Sequence, residues 1–173
     1  KVSQEKLAVA KKIKSFVAGG GFLFAMCSAT DSYDIALAAE GIDICGAMFD
    51  GDGMDSDIDS KLDYSKTLAF KDFTLVKNPN QYEFSTIDAT QKRRINHKID
   101  FFTLFDFSAK WDPVPTMLCQ NHMQIIGGFM GQTTAFKNEY IKSDVLIMGE
   151  TKATNEARYI HGELGNGTWT FYG

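Results

Sequence analysis

The segment from residue 7 to residue 41 constrains the fold more than any other part of the chain. Leu7, Ile13 and Phe16 recur near a helical period, and glycines at 19–21 follow as a helix stop. The apolar run at 22–26, FLFAM, predicts a strand buried on both faces, as in a parallel sheet covered by helices. Helical spacing resumes over 28–39 and ends at Gly41. This succession of helix, strand, turn and helix is typical of an α/β fold.

The later sequence has a different pattern of apolar and polar residues. Residues 50–59 are polar and acidic, and residues 61–108 alternate short apolar runs with polar breaks, which predicts an inserted segment of short strands and long loops. Residues 145–150, VLIMGE, read as a strand. The runs ARYIHGEL and TWTFYG, on either side of Gly165 to Gly167, predict a β-hairpin.

Composition excludes several classes of protein. The 173 residues contain 44% hydrophobic residues, enough for one domain, 1–173, with a substantial core. A net charge of −4, with 18 scattered Lys and Arg, disfavours nucleic-acid binding. No stretch approaches the roughly 20 apolar residues of a membrane span. The sequence begins at Lys1 within a helical pattern, and we expect it to be a piece of a longer chain.

No metal or cofactor is expected from the motifs. The three cysteines, Cys27, Cys45 and Cys119, lack the paired spacing of a zinc site, and their odd number leaves at least one thiol free. The acidic run at 50–59 fails the twelve-residue calcium pattern, so a solvated loop is the favoured interpretation. The glycine-rich stretches at 19–21 and 127–131 lack the Lys-Ser/Thr ending of a phosphate loop.

Cys27 lies at the predicted turn between strand and helix and has two interpretations. A nucleophile on such a turn is exposed above the sheet edge, and the backbone N–H groups of the following helix can hold an oxyanion. Ala25, Ser28 and Ala29 are small enough for a sharp turn, and Ser28 would supply an oxyanion N–H. A free cysteine is also among the most frequently buried residues, so Cys27 as a small packing residue is the alternative.

The stretch GGGFLFAMCSA resembles the glycine-rich strand and nucleophile turn of the class I glutamine amidotransferase-like fold, including its trehalose-utilisation relatives. Over essentially the whole chain, segments such as FSAKWDPVPTML and NEARYIHGELGNGTWTFYG resemble a Bacteroidetes-type family labelled asparagine synthetase B. The resemblance implies a flavodoxin-like parallel sheet covered by helices. It does not imply asparagine synthetase activity, because neither an N-terminal cysteine nor an ATP-binding synthetase domain is visible.

The resemblance also implies which residues form a site. Cys27 stands at the family's nucleophile position and Ser28 at its oxyanion position. The family's histidine and glutamate follow a late strand that GNGTWTFYG resembles, so we expect them beyond Gly173. His161 is a substitute candidate for the base, with an exposed or hydrogen-bonded hairpin residue as its alternative. For Asp31, a position facing the turn and a simple helix-capping role both stay open.

The implied function is a cysteine-dependent amide hydrolase or amidotransferase acting on a small-molecule or amide substrate. The alternative is a non-catalytic binding or structural domain on the same scaffold. The domain would associate with the rest of its own polypeptide, and the family's export signals favour an exported, periplasmic location.

Overall fold

The computed structural model describes residues 1–89, 101–104, 125–127, 133, 135–151 and 154–173. The helices of this described part are α1 (Val2–Ala18), α2 (Ala29–Ala38), α3 (Ala47–Asp50) and α4 (Ile58–Lys61), with two short 3-10 helices at Tyr64–Lys66 and Asn138–Tyr140. Its strands are β1 (Phe22–Met26), β2 (Phe101–Leu104), β3 (Ile125–Gly127), β4 (Phe136–Lys137), β5 (Leu146–Thr151), β6 (Glu156–Leu164) and β7 (Gly167–Tyr172). The predicted helix–strand–helix segment, the strand near 145–150 and the late hairpin are confirmed.

The described strands form one mixed sheet in the order β1-β7-β6-β5-β2-β3, with β4 paired to β6. Strands β1 and β7 are parallel, whereas every other described pair is antiparallel. The α/β class is therefore confirmed, but the sheet is mixed where a parallel one was predicted. The difference arises because β6 and β7 form a hairpin, whose strands must run in opposite directions.

The two faces of β1 differ in exposure. Leu23 and Ala25 lie on the face that packs against the helices, together with Trp169 and Phe171 of β7. Phe22, Phe24 and Met26 alternate with them and are 40%, 46% and 48% exposed. The prediction that this strand is buried on both faces is wrong, because β1 follows the period-two alternation of a sheet with one covered face.

The hairpin between β6 and β7 is fitted tightly against the end of α1. Gly165 has a left-handed φ of 61°, which the tight turn requires. Asn166 N donates to Ala18 O at 3.0 Å, and a Cβ on Gly167 would lie 2.0 Å from Val17 O. The glycines therefore allow the turn to approach the helix backbone, which brings β7 beside β1.

Asp34 of α2 anchors the buried segment at residues 68–70. Its Oδ1 accepts the Leu68 N–H at 2.7 Å, and its Oδ2 accepts the N–H groups of Ala69 and Phe70 at 2.7 and 2.9 Å. Phe70 in turn packs on Phe136 and Phe171 of the sheet. Asp34 thus ties α2 to a loop that completes the core.

Residues 90–100 and 105–108 of the predicted inserted segment lie outside the described residues. Its described parts, 61–89 and 101–104, contain short helical turns, isolated bridges and the short strand β2, in keeping with the prediction of short strands and loops. Among the helices described here, none has the length and apolar character needed to cross a membrane.

Candidate functional site

Cys27 occupies a tight turn between β1 and α2. Its φ of 56° is left-handed, a conformation that costs a non-glycine residue about 1–3 kcal/mol unless its surroundings enforce it. Both sides of the residue are fixed: Cys27 N donates to Tyr172 O at 3.0 Å, and Cys27 O accepts the Thr30 N–H at 3.1 Å and the Thr30 hydroxyl at 2.7 Å. Strand pairing and the first turn of α2 therefore hold Cys27 in this conformation together.

The flanking residues make room for this turn. Ala25 is 6% exposed and lies in the core, Ser28 is half-buried and Ala29 is exposed. None of the three has a side chain large enough to obstruct the space around a neighbouring thiol. Cys27 itself is half-buried. Its interpretations as a nucleophile and as a small packing residue both remain predictions.

The N-terminal end of α2 follows directly after the thiol. The N–H groups of Ser28 and Ala29 have no hydrogen-bond acceptor in the structure's described part. Such N–H groups carry the positive end of the helix dipole and stabilise negative charge in their vicinity. The turn therefore provides a thiol followed by two available backbone donors, as an oxyanion site requires.

The carboxyl end of β7 lies beside the same turn. Tyr172 pairs with Met26 in the parallel register, and the next residue, Gly173, donates its N–H to Arg158 O at 2.8 Å. Because the carboxyl ends of parallel neighbours meet at one sheet edge, β1 and β7 both end next to Cys27.

His161 lies elsewhere in the sheet. It pairs with Thr170, which pairs with Phe24, so β7 separates His161 from β1 and the register displaces it three residues from Cys27. This offset corresponds to roughly 10 Å across the strands and roughly 10 Å along them. The ring is buried, and its Nδ1 is 2.9 Å from the Thr170 hydroxyl oxygen. His161 is therefore outside hydrogen-bond reach of the Cys27 sulfur and is the hydrogen-bonded hairpin residue of the alternative interpretation.

Of the other two cysteines, Cys45 lies within the described residues. Cys45 is half-buried, and burial together with the carboxylates of Asp50, Asp43 and Asp52 raises the pKa of its thiol. Its environment therefore disfavours the reactive thiolate. Cys119 lies outside the described residues, as do His97 and His122. Cys45 provides the internal comparison for any measurement of Cys27 reactivity.

The acidic run is only partly the solvated loop of the sequence prediction. Asp55 and Asp57 are exposed, but the carboxylates of Asp43, Asp50 and Asp52 come within 4.8 Å of one another. The Lys1 ammonium lies 2.5 Å from Asp52 Oδ2 and 3.4 Å from Asp43 Oδ2. This lysine balances two of the three carboxylates, and we assign no metal to the group.

Asp31 belongs to a buried polar cluster that the sequence did not predict. It lies in the first turn of α2 and has no exposed surface. Its carboxyl oxygens accept the Thr133 hydroxyl at 3.0 Å and the Ser85 hydroxyl at 3.3 Å. The partners are 102 and 54 residues away in the sequence, so no local pattern could identify them. The main contacts of Asp31 are these two buried hydroxyl groups, so neither a helix-capping role nor a position facing the turn describes it.

Comparisons with protein-family models, with curated proteins and with solved structures find no match.

Proposed function

We propose that Cys27 is the nucleophile of an amide hydrolase or amidotransferase, in a class I glutamine amidotransferase-like domain. The observation that supports this most is the left-handed conformation of a half-buried cysteine between a strand and a helix. A nucleophile in this position has its side chain above the sheet edge and helix N–H groups beside it. The membership of the family labelled asparagine synthetase B is part of the same proposal.

The proposed reaction is acyl transfer through a thioester. The Cys27 thiolate attacks the carbonyl carbon of an amide, a C–S bond forms, and the carbonyl π electrons move onto oxygen. The N–H groups of Ser28 and Ala29 hold this oxyanion. Collapse breaks the C–N bond, and the amine leaves with a proton from a general acid. Water then attacks the thioester, gives its proton to a general base, and releases the carboxylic acid and the thiolate.

The general acid and base are proposed to come from residues that follow Gly173 in a longer chain. Strand β7 ends beside Cys27, because Tyr172 pairs with Met26 and accepts the Cys27 N–H at 3.0 Å. His161 is not proposed for this role, because β7 separates it from Cys27. The family resemblance implies a histidine and a glutamate for these two roles.

The second candidate is a non-catalytic binding or structural domain. The observation that favours it is the position of His161, the one histidine among the described residues, which cannot reach Cys27. In this alternative the turn at Cys27 only connects β1 to α2, and its thiol does no chemistry.

Acylation by p-nitrophenyl acetate distinguishes the two candidates. The thiolate displaces nitrophenolate from this ester and forms an acetyl thioester, which intact-mass spectrometry and peptide mapping detect. In the full chain we expect rapid acetylation at Cys27 and its loss in Cys27→Ser. The matched variant Cys45→Ser should retain the adduct. Equal, slow acetylation of Cys27 and Cys45 would reject the nucleophile and leave the binding domain.

A further inference from the structure

The buried cluster around Asp31 connects the turn at Cys27 to distant parts of the chain. Thr133 donates its hydroxyl to Asp31 Oδ1 at 3.0 Å and its backbone N–H to Asp88 Oδ2 at 2.9 Å. Ser85 donates its hydroxyl to Asp31 Oδ2 at 3.3 Å. All four residues are buried, with at most 1% of each exposed. Two carboxyl groups thus share one bridging residue inside the protein.

Other parts of the fold hold the residues of this bridge in place. Thr133 has a left-handed φ of 57°, which a β-branched residue adopts only where its surroundings enforce it. Asp88 forms an isolated antiparallel bridge with Phe136 of β4, and β4 pairs with β6. The contacts of Asp31 therefore run from the first turn of α2 to the central part of the sheet.

We propose that Asp31 is a positioning residue for Cys27: its hydrogen bonds with Thr133 and Ser85 fix the first turn of α2, whose N–H groups follow the thiol. The inference rests on the proposed function, because it assigns Asp31 a role in nucleophile reactivity. Asp31 follows Cys27 by four residues in the sequence and lies in the first turn of α2, which begins at Ala29. It acts through the helix and does not touch the reacting atoms.

The surroundings of Asp31 favour its neutral form below about pH 7. Burial raises its pKa to about 7; the Thr133 hydroxyl lowers the pKa in part, and the charge of Asp88 raises it again. Two further groups act on this carboxyl: the Ser32 N–H from α2 and the Ser85 hydroxyl, both of which lower the pKa. Thr133 links Asp31 to Asp88, and Asp88 is the titratable residue that this link brings near Asp31 in the described part of the chain.

Ionisation of Asp31 would place a negative charge near the thiolate and oppose it. We expect this repulsion to slow the reaction of Cys27 about fivefold, which corresponds to about 1 kcal/mol. The wild-type protein should therefore lose part of its Cys27 reactivity above neutral pH, whereas a variant with an uncharged isostere should not.

The test is the pH dependence of Cys27 alkylation by iodoacetamide in the full chain, resolved by peptide mass spectrometry. Asp31→Asn cannot ionise but still accepts the Thr133 hydroxyl. Its Cys27 should react within twofold of the wild-type rate at pH 6 and about fivefold faster at pH 8.5. Asp31→Ala also lacks the charge but loses both bridges, so its Cys27 should react at least threefold more slowly than in Asp31→Asn at both pH values. The exposed control Asp57→Asn should follow the wild type.

The proposal is overturned if Asp31→Asn and wild type coincide at pH 8.5, or if the two Asp31 variants react at equal rates. Circular dichroism and the urea midpoint establish that each variant is folded. If Asp31→Ala does not fold, the comparison of Asp31→Asn with wild type decides. These ratios compare Cys27 between variants, whereas the proposed function fails when wild-type Cys27 is not acetylated, so the two failures are distinguishable.

Discussion

Replacing Asp34 by alanine should destabilise the protein strongly through the buried segment that it anchors. The carboxylate accepts three backbone N–H groups at 2.7, 2.7 and 2.9 Å, from Leu68, Ala69 and Phe70, which are at most 7% exposed. Each orphaned buried N–H costs about 1–3 kcal/mol, and partial relaxation of the loop lowers the sum. We therefore expect a loss of about 3–5 kcal/mol, a large share of the roughly 5–15 kcal/mol typical of a folded domain.

Urea denaturation at pH 7.5 measures this loss as a shift in midpoint at constant slope. Asp34→Asn should cost about half as much, because one amide oxygen still accepts an N–H while the amide nitrogen cannot. The exposed Asp57→Asn serves as the matched control and should leave the midpoint unchanged. A loss below about 1 kcal/mol for Asp34→Ala would refute the account of this anchor.

Two further predictions concern stability. Gly167→Ala should cost about 3–5 kcal/mol of unfolding free energy in the same assay, because its Cβ would lie 2.0 Å from Val17 O and 2.3 Å from Gly21 O. The control Gly51→Ala should cost about 1 kcal/mol for its left-handed φ, because its Cβ meets nothing within 4 Å. Equal losses in the two variants would contradict the packing argument. Burial raises the pKa of Asp31 to about 7 and that of Asp34 to about 6, both from 3.8, so the folded state binds these protons more tightly and the stability from both groups falls as pH rises from about 4 to 7. For Asp31 this change in unfolding free energy is on the order of 4 kcal/mol. Asp31→Asn should therefore flatten the rise in unfolding free energy that the wild type shows from pH 7 down to pH 5. An unchanged pH profile would show that Asp31 does not titrate in this range.

The sequence predicts those parts of the fold that depend on neighbours along the chain. The glycines at 19–21 end α1, the apolar run forms β1, and small residues around Cys27 permit a turn into α2. The late hairpin follows equally from its glycine-rich turn. Each of these features is set by backbone preferences within a few residues, which is why the position of Cys27 could be predicted from one sequence.

Long-range pairing is what the sequence does not reveal. The parallel contact of β1 with β7, the exposure of Phe24 and the bridge from Asp31 to Thr133 join residues more than a hundred positions apart or depend on which sheet face is covered. An aspartate in a first helical turn looks like a dipole partner, and only the folded chain shows that it is buried. The separation of His161 from Cys27 likewise depends on strand register.

The proposed function depends on Cys27 acting as a nucleophile at the turn between β1 and α2. Competitive alkylation by limiting iodoacetamide in the native full chain tests this most directly, with Cys27 and Cys45 quantified in the same sample. Cys27 should react at least tenfold faster than Cys45, whose thiol pKa is raised by burial and by acidic neighbours. A Cys27 that reacts no faster than Cys45 would contradict the proposed role.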